Sequence, residues 1–110
     1  MRMWMIDPRW MCDQHLLGEH VECHMLVGVI NKNKSVQGYI NNGLVELDKL
    51  RERHDELVTE LVRRNMNHKS PLPKPEKILA EFGRVNRIKN AADLMCRCQE
   101  CRERFRRAIT

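Results

Sequence analysis

Residues 13–24 read DQHLLGEHVECH, which sets Asp13, Glu19 and Glu22 among His15, His20 and His24. His15, Glu19 and Glu22 recur at i, i+4 and i+7, so a helix would present them on one face, with Gln14 beside them. Two close carboxylates raise one another's pKa, and one of them can then work as a general acid or base. The plainer reading of the same residues is a charged helix face that only meets water.

His20 and His24 stand one helical turn apart, the spacing of paired histidine ligands in zinc enzymes, with Cys23 as a third donor. No glutamate directly follows His20, and His20 and Cys23 diverge around a helix, which argues against a metal there. Cys96, Cys98 and Cys101 form C-x-C-x-x-C, a set of donors that would need a distant fourth ligand to hold zinc. Leu94, Cys98, Cys101 and Phe105 also step by four, three and four residues. That apolar stripe, with cysteine acting as a small hydrophobe, is the stronger reading.

The start, MRMW, adds a different nucleophile. Met1 should be retained, because the second residue, Arg2, is too large for the usual removal of methionine. An α-amine titrates near about 7.7 to 8.0, against about 10.4 for lysine, so a useful fraction is neutral at pH 7. Near Glu22 and flanked by Arg2, such an amine could attack a sugar C1′ and form a Schiff base. The alternative is a frayed chain end, although Trp4 and Trp10 point to an anchored one.

The elements that would position these groups are helical. Asp7-Pro8 reads as an N-cap and first helical position, and apolar residues from Trp10 to Val29 recur at three- and four-residue steps, predicting a helix over about 8–30. NKNKSVQGYINNG predicts a loop at 31–43. Leu44, Leu47, Leu50, His54, Leu57, Val58, Leu61 and Val62 predict a helix over 43–65, and HKSPLPKP stops it. A short helix near 76–82 and a basic C-terminal helix over about 90–108, capped by Asn90, complete an all-α reading. The expected architecture is a compact single domain over 1–110 with three to four helices and long loops.

Composition narrows the functional classes. No apolar run approaches the roughly 18 residues of a membrane span, and the short internal HMLVGVI does not read as a signal peptide. Five cysteines without a regular disulfide spacing suit a reducing, intracellular compartment. Residues 1–83 balance their charges, whereas residues 84–110 hold eight Lys and Arg against three Asp and Glu, so the whole formal +5 comes from that segment. Arginine forks there suit a phosphate backbone or an acidic membrane surface, and equally a solvated helix face.

MRMW, CDQHLLGEH, GY, RHDELVTELVRR and HKSPL together resemble the pyrimidine-dimer DNA glycosylase family, the small phage-type enzymes and their short cellular relatives. The likeness runs over about residues 1–72, and DQHL followed by Glu22 is its most specific piece. The segment after residue 84 resembles only the short relatives. The resemblance implies an all-α glycosylase and abasic-site lyase that uses no metal or other cofactor. It implies Met1 as the amine nucleophile and Glu22 as the carboxylate that stabilises the charged sugar and moves protons. Arg2, Gln14 and His15 would lie near the scissile nucleotide, with Lys69, Arg84, Arg87, Arg102, Arg106 and Arg107 on the DNA.

The implied partner is double-stranded DNA with a damaged or abasic site, bent with a base expelled, and bound by a monomer in the cytoplasm, the nucleoid or a phage-infected cell. Where the phage enzyme is basic, this chain has Val21 and Met25. Two other readings stay open: a non-catalytic helical nucleic-acid-binding module, and a zinc-stabilised interaction protein with Cys96, Cys98 and Cys101 as ligands.

Overall fold

The structure, a computed structural model, describes residues 1–66, 71–77 and 79–110. These residues are all-α, with five α-helices, two 3-10 turns and no strand among them. None of those helices is long and apolar enough to cross a membrane.

The first expected helix is divided. Asp7 caps only a 3-10 turn, Pro8–Trp10, by accepting from Arg9 N–H at 3.0 Å. Met11 and Cys12 are then extended and buried, and α1 runs Asp13–Asn31 with Cys12 as its N-cap. Helical spacing continues through 10 and 11, but burial of Met11 and Cys12 overrides it. α1 buries Leu16, Glu19, His20, Cys23, Leu26, Val27 and Ile30.

The loop at 31–43 contains one short helix, α2 (Gln37–Asn41). It ends at Gly43, whose φ of +65° and bond from Leu44 N–H to the Tyr39 carbonyl (3.0 Å) make a left-handed C-terminal cap. The helix expected over 43–65 begins later. A 3-10 turn, Leu47–Lys49, leads into α3, Leu50–Arg63. Residues 44–47 are taken by non-local bonds instead: Met3 N–H donates to the Leu44 carbonyl at 2.7 Å and Leu47 N–H to the Phe82 carbonyl at 2.8 Å.

The described residues of 76–82 are not helical. Asn31 clamps this stretch, accepting from Glu76 N–H at 2.7 Å and donating to the Lys74 carbonyl at 3.3 Å. Gly83 follows with φ +84°, and a Cβ there would meet the Val45 carbonyl oxygen at 2.5 Å, so only glycine lets the two segments lie together. The expected C-terminal helix is two: α4 (Arg87–Arg97), capped by Asn86, and α5 (Gln99–Ile109), capped by Cys98. Asn90 lies inside α4 and is buried.

α1 and α3 pack together around a buried ion pair. Arg53 Nε and Nη2 donate to the two Glu19 carboxylate oxygens at 2.6 and 2.9 Å, and Nη1 donates to the Ile6 carbonyl at 2.7 Å. The two side chains are only 2% and 0% exposed. α5 lies on the Pro8–Trp10 turn, where Trp10 meets Phe105 edge-on at 4.9 Å between centroids.

A lone buried charge is far costlier than a bonded pair. Arg53→Met or Glu19→Ala is therefore expected to lower the unfolding free energy by ~3–5 kcal/mol, and Arg53→Met with Glu19→Leu by much less, as read by chemical denaturation. Single-variant losses under ~1 kcal/mol would contradict this account.

Candidate active site

Glu22 sits half-buried on α1, close enough to the chain start to feel the backbone N–H of Arg2. The N-terminal ammonium lies close enough to act on the same carboxylate. Burial pushes the Glu22 carboxyl above its ordinary value, with the Arg2 N–H and the N-terminal charge pulling the other way and Glu19 adding to the rise. Glu19 itself is spent on Arg53, so the expected pair of free carboxylates is one buried structural group and one half-buried acid.

The amine is where it is because the first six residues are pinned. Met3, Trp4, Met5 and Ile6 are buried. Besides the bonds at Met3 and Ile6, Asn90 Nδ2 donates to the Trp4 carbonyl at 3.0 Å while its Oδ1 accepts from Arg2 Nη2 at 2.6 Å. Arg2 also reaches Asp93 at 3.2 Å and lays its guanidinium 3.9 Å above the Trp4 ring. Met5 holds φ +58°, a left-handed conformation that costs a non-glycine residue roughly 1–3 kcal/mol and persists only where the surroundings fix it.

Beside Arg2 opens a cleft of about 350 Å³, lined by Arg2, Asn42, Arg84, Asn86, Lys89 and Asp93 among others. With three cations against one carboxylate, it suits a phosphate. Arg84 turns one Nη to Asp48 at 3.0 Å and remains largely exposed.

The profile of the pyrimidine dimer DNA glycosylase family matches residues 1–74. The chain belongs to that family. Membership makes it a DNA-repair protein of glycosylase type, with DNA as its substrate. No curated protein and no solved structure matches it. The matched span of this glycosylase supplies Met1, Arg2 and Glu22, whereas Arg84, Lys89 and Asn90 of the cleft lie beyond it.

The other residues singled out in the sequence scatter. Gln14 is exposed at the start of α1. Leu17, Val21 and Met25 continue that helix as an exposed apolar stripe, the last two 45% and 52% accessible. Arg87 pairs with Glu46 at 3.3 Å. Arg102 folds back on the Met95 carbonyl at 2.9 Å, and Arg106 pairs with Glu103 at 3.3 Å. Arg107 joins Arg9, Arg63 and Arg104 around a second cleft of about 460 Å³. Lys69 lies outside the described residues. The glycosylase therefore gathers cations from distant positions, and nothing in linear spacing marks Lys89, Arg63 or Arg104.

His15 turns away from the cleft. Its Nδ1 lies 3.2 Å from Cys12 Sγ and 3.6 Å from Cys101 Sγ, and its ring meets Trp4 edge-on. Burial pulls the His15 pKa down, helped by the charge of Arg97. Cys98 completes this group, while Cys96 is exposed and apart from it. Because α4 ends and α5 begins at Cys98, the expected stripe from Leu94 to Phe105 does not run along one helix.

A second group joins His20, His24 and His54. His20 Nε2 and His54 Nε2 are 3.0 Å apart, so one donates and the other accepts. Cys23 stands outside it, its thiol pushed up to about 12 chiefly by burial.

Charge removal in the cleft should register as lost counterion release. Arg84→Gln with Lys89→Gln is expected to weaken duplex binding without regard to sequence and to flatten the log K against log salt slope by about 2. Arg102→Gln with Arg106→Gln, which lie outside the cleft, should change the slope less. Fluorescence anisotropy across a salt series reads both, and an unchanged slope in the first variant would remove phosphate binding from the cleft.

Proposed function

We propose that this family member is a glycosylase with abasic-site lyase activity, in which the α-amine of Met1 is the nucleophile and Glu22 the assisting acid and base. One observation carries the reading: the half-buried Glu22 carboxyl shares its surroundings with the Arg2 N–H and the chain's own ammonium. In this reading the substrate is duplex DNA with a damaged or abasic site, pyrimidine dimers included, bound by a monomer inside the cell.

The unprotonated amine attacks C1′, forming a C–N bond as the N-glycosidic bond breaks and the base leaves with a proton. Opening of the sugar ring gives the protonated Schiff base, whose positive charge the Glu22 carboxylate stabilises. Loss of a C2′ proton to a base then expels the 3′ phosphate by β-elimination, and water releases the amine. A carboxyl held above its ordinary pKa is a stronger base and also retains a proton to higher pH, which suits both transfers. Arg2, braced by Asn90, Asp93 and Trp4, is placed to meet the phosphate beside the attacked sugar.

Borohydride reduction in the presence of a duplex with one abasic site should trap a covalent adduct that maps to Met1. Glu22→Gln is expected to cut strands at least ~100-fold more slowly, the usual loss for an acid–base group, with binding changed only a few-fold. The carboxylate limb of the cleavage pH profile should lie above the ordinary glutamate value and vanish in that variant, following the raised Glu22 pKa. Binding without an adduct would leave a non-catalytic DNA-binding module, and equal losses of binding and cleavage in Glu22→Gln would remove its catalytic role.

A further inference from the structure

We propose that Cys12, His15, Cys98 and Cys101 hold one zinc ion, which fastens the C-terminal pair of helices to α1. The four donor atoms, Sγ of the cysteines and a ring nitrogen of His15, all lie within 4.8 Å of one another. Zinc bonds of about 2.3 Å to sulfur and 2.0–2.1 Å to nitrogen require tetrahedral edges of roughly 3.8 Å between sulfurs and 3.6 Å between sulfur and nitrogen. The structure gives 3.9 Å for Cys12 Sγ to Cys98 Sγ, and 3.6 and 3.2 Å from His15 Nδ1 to Cys101 Sγ and Cys12 Sγ.

The local frames repeat. Cys12 is the N-cap of α1 and His15 follows three residues later; Cys98 is the N-cap of α5 and Cys101 follows three residues later. Two helix N-termini therefore meet, each supplying a capping sulfur and a donor from its first turn. Each sulfur also accepts a backbone N–H: Cys12 from His15 at 3.5 Å, Cys98 from Cys101 at 3.4 Å, and Cys101 from Cys12 at 3.2 Å. Amides aimed at the sulfurs stabilise thiolates and orient them, as the outer contacts of metal ligands do. All the cysteines are free thiols, and a Cys₃His set with no open position is a closed, structural site.

The consequence reaches the amine. Cys98 and Cys101 lie beyond the span that matches the family, and α4, directly before them, carries the Asn90 and Asp93 that hold Arg2 and the Trp4 carbonyl. A metal at this junction binds the appended helices to the family portion without touching Glu22. The inference does not depend on the lyase chemistry.

The test is metal content and spectroscopy of the full chain, purified without chelators. One zinc per chain is expected, and replacement by cobalt(II) should give an intense thiolate-to-cobalt charge-transfer band. Cys98→Ser and Cys101→Ser should each weaken zinc binding more than 10-fold, whereas Cys96→Ser and Cys23→Ser should keep one zinc. His15→Cys, which retains four donors, should keep the metal where His15→Ala weakens it. Should the cysteine variants fail to fold, the cobalt spectrum of the unaltered chain still decides. A metal-free chain, a disulfide seen as a two-hydrogen mass deficit, or a cobalt spectrum without the thiolate band, as the three-histidine group would give, overturns the proposal.

Discussion

The buried Arg53 guanidinium is the constraint from which the rest of the architecture follows. A charge with 2% exposure must be fully paired, and Arg53 meets that demand with a two-pronged bond to Glu19 on α1 and a bond to the Ile6 carbonyl on the N-terminal segment. One side chain of α3 thereby fixes α1 and the chain start relative to each other. It also engages Glu19 fully: of the two carboxylates one helical face could have offered, the inner one is neutralised and Glu22 is left half-buried within reach of the N-terminal charge.

Order at a chain end is costly, since terminal residues have the most freedom to lose. The costs are offset by unrelated means at successive residues. Arg2 is held through its side chain by Asn90, Asp93 and Trp4, Met3 by the Leu44 carbonyl, and Trp4 by Asn90 and burial. The left-handed turn at Met5 shows that tertiary contacts, rather than local preference, set the path. Asn90 is central because one amide bonds the backbone with its nitrogen and Arg2 with its oxygen.

What was legible in the sequence follows from locality. α3 was readable because Leu50, Leu57 and Leu61 bury one face at helical spacing, whereas α1 was marked largely by Leu17, Val21 and Met25, which the structure leaves exposed while Leu16 and Leu26 are buried. The breaks at Met11–Cys12 and Cys98 were not, because apolar periodicity continues through both and only capping by a cysteine sulfur, a weak and uncommon acceptor, interrupts it. The grouping of Cys12 and His15 with Cys98 and Cys101 was hidden for a related reason. Both pairs have the same three-residue spacing, but Cys98 and Cys101 supplied a better-known explanation as core, and Cys12 had no near neighbour to draw attention to it. Of the DNA-facing candidates, Arg2 and Arg84 were found by sequence and meet at one cleft; Lys89 needed the fold to bring it there.

Charge is distributed unevenly over the two parts of the chain. Along α1, Leu17, Val21 and Met25 present an exposed apolar stripe with no cation on it, so the helix that carries Glu22 cannot attract a phosphate backbone by itself. The cleft cations come from both parts of the chain, with Arg84 and Lys89 joining Arg2, and Arg104 and Arg107 joining Arg9 and Arg63. Because phosphate contacts set register rather than read sequence, cations on an appended segment can serve the family portion only if the two are rigidly joined. The bonds of Asn90 and Asp93 to the first residues make that join, which is why the charged extension and the chain start act as one surface.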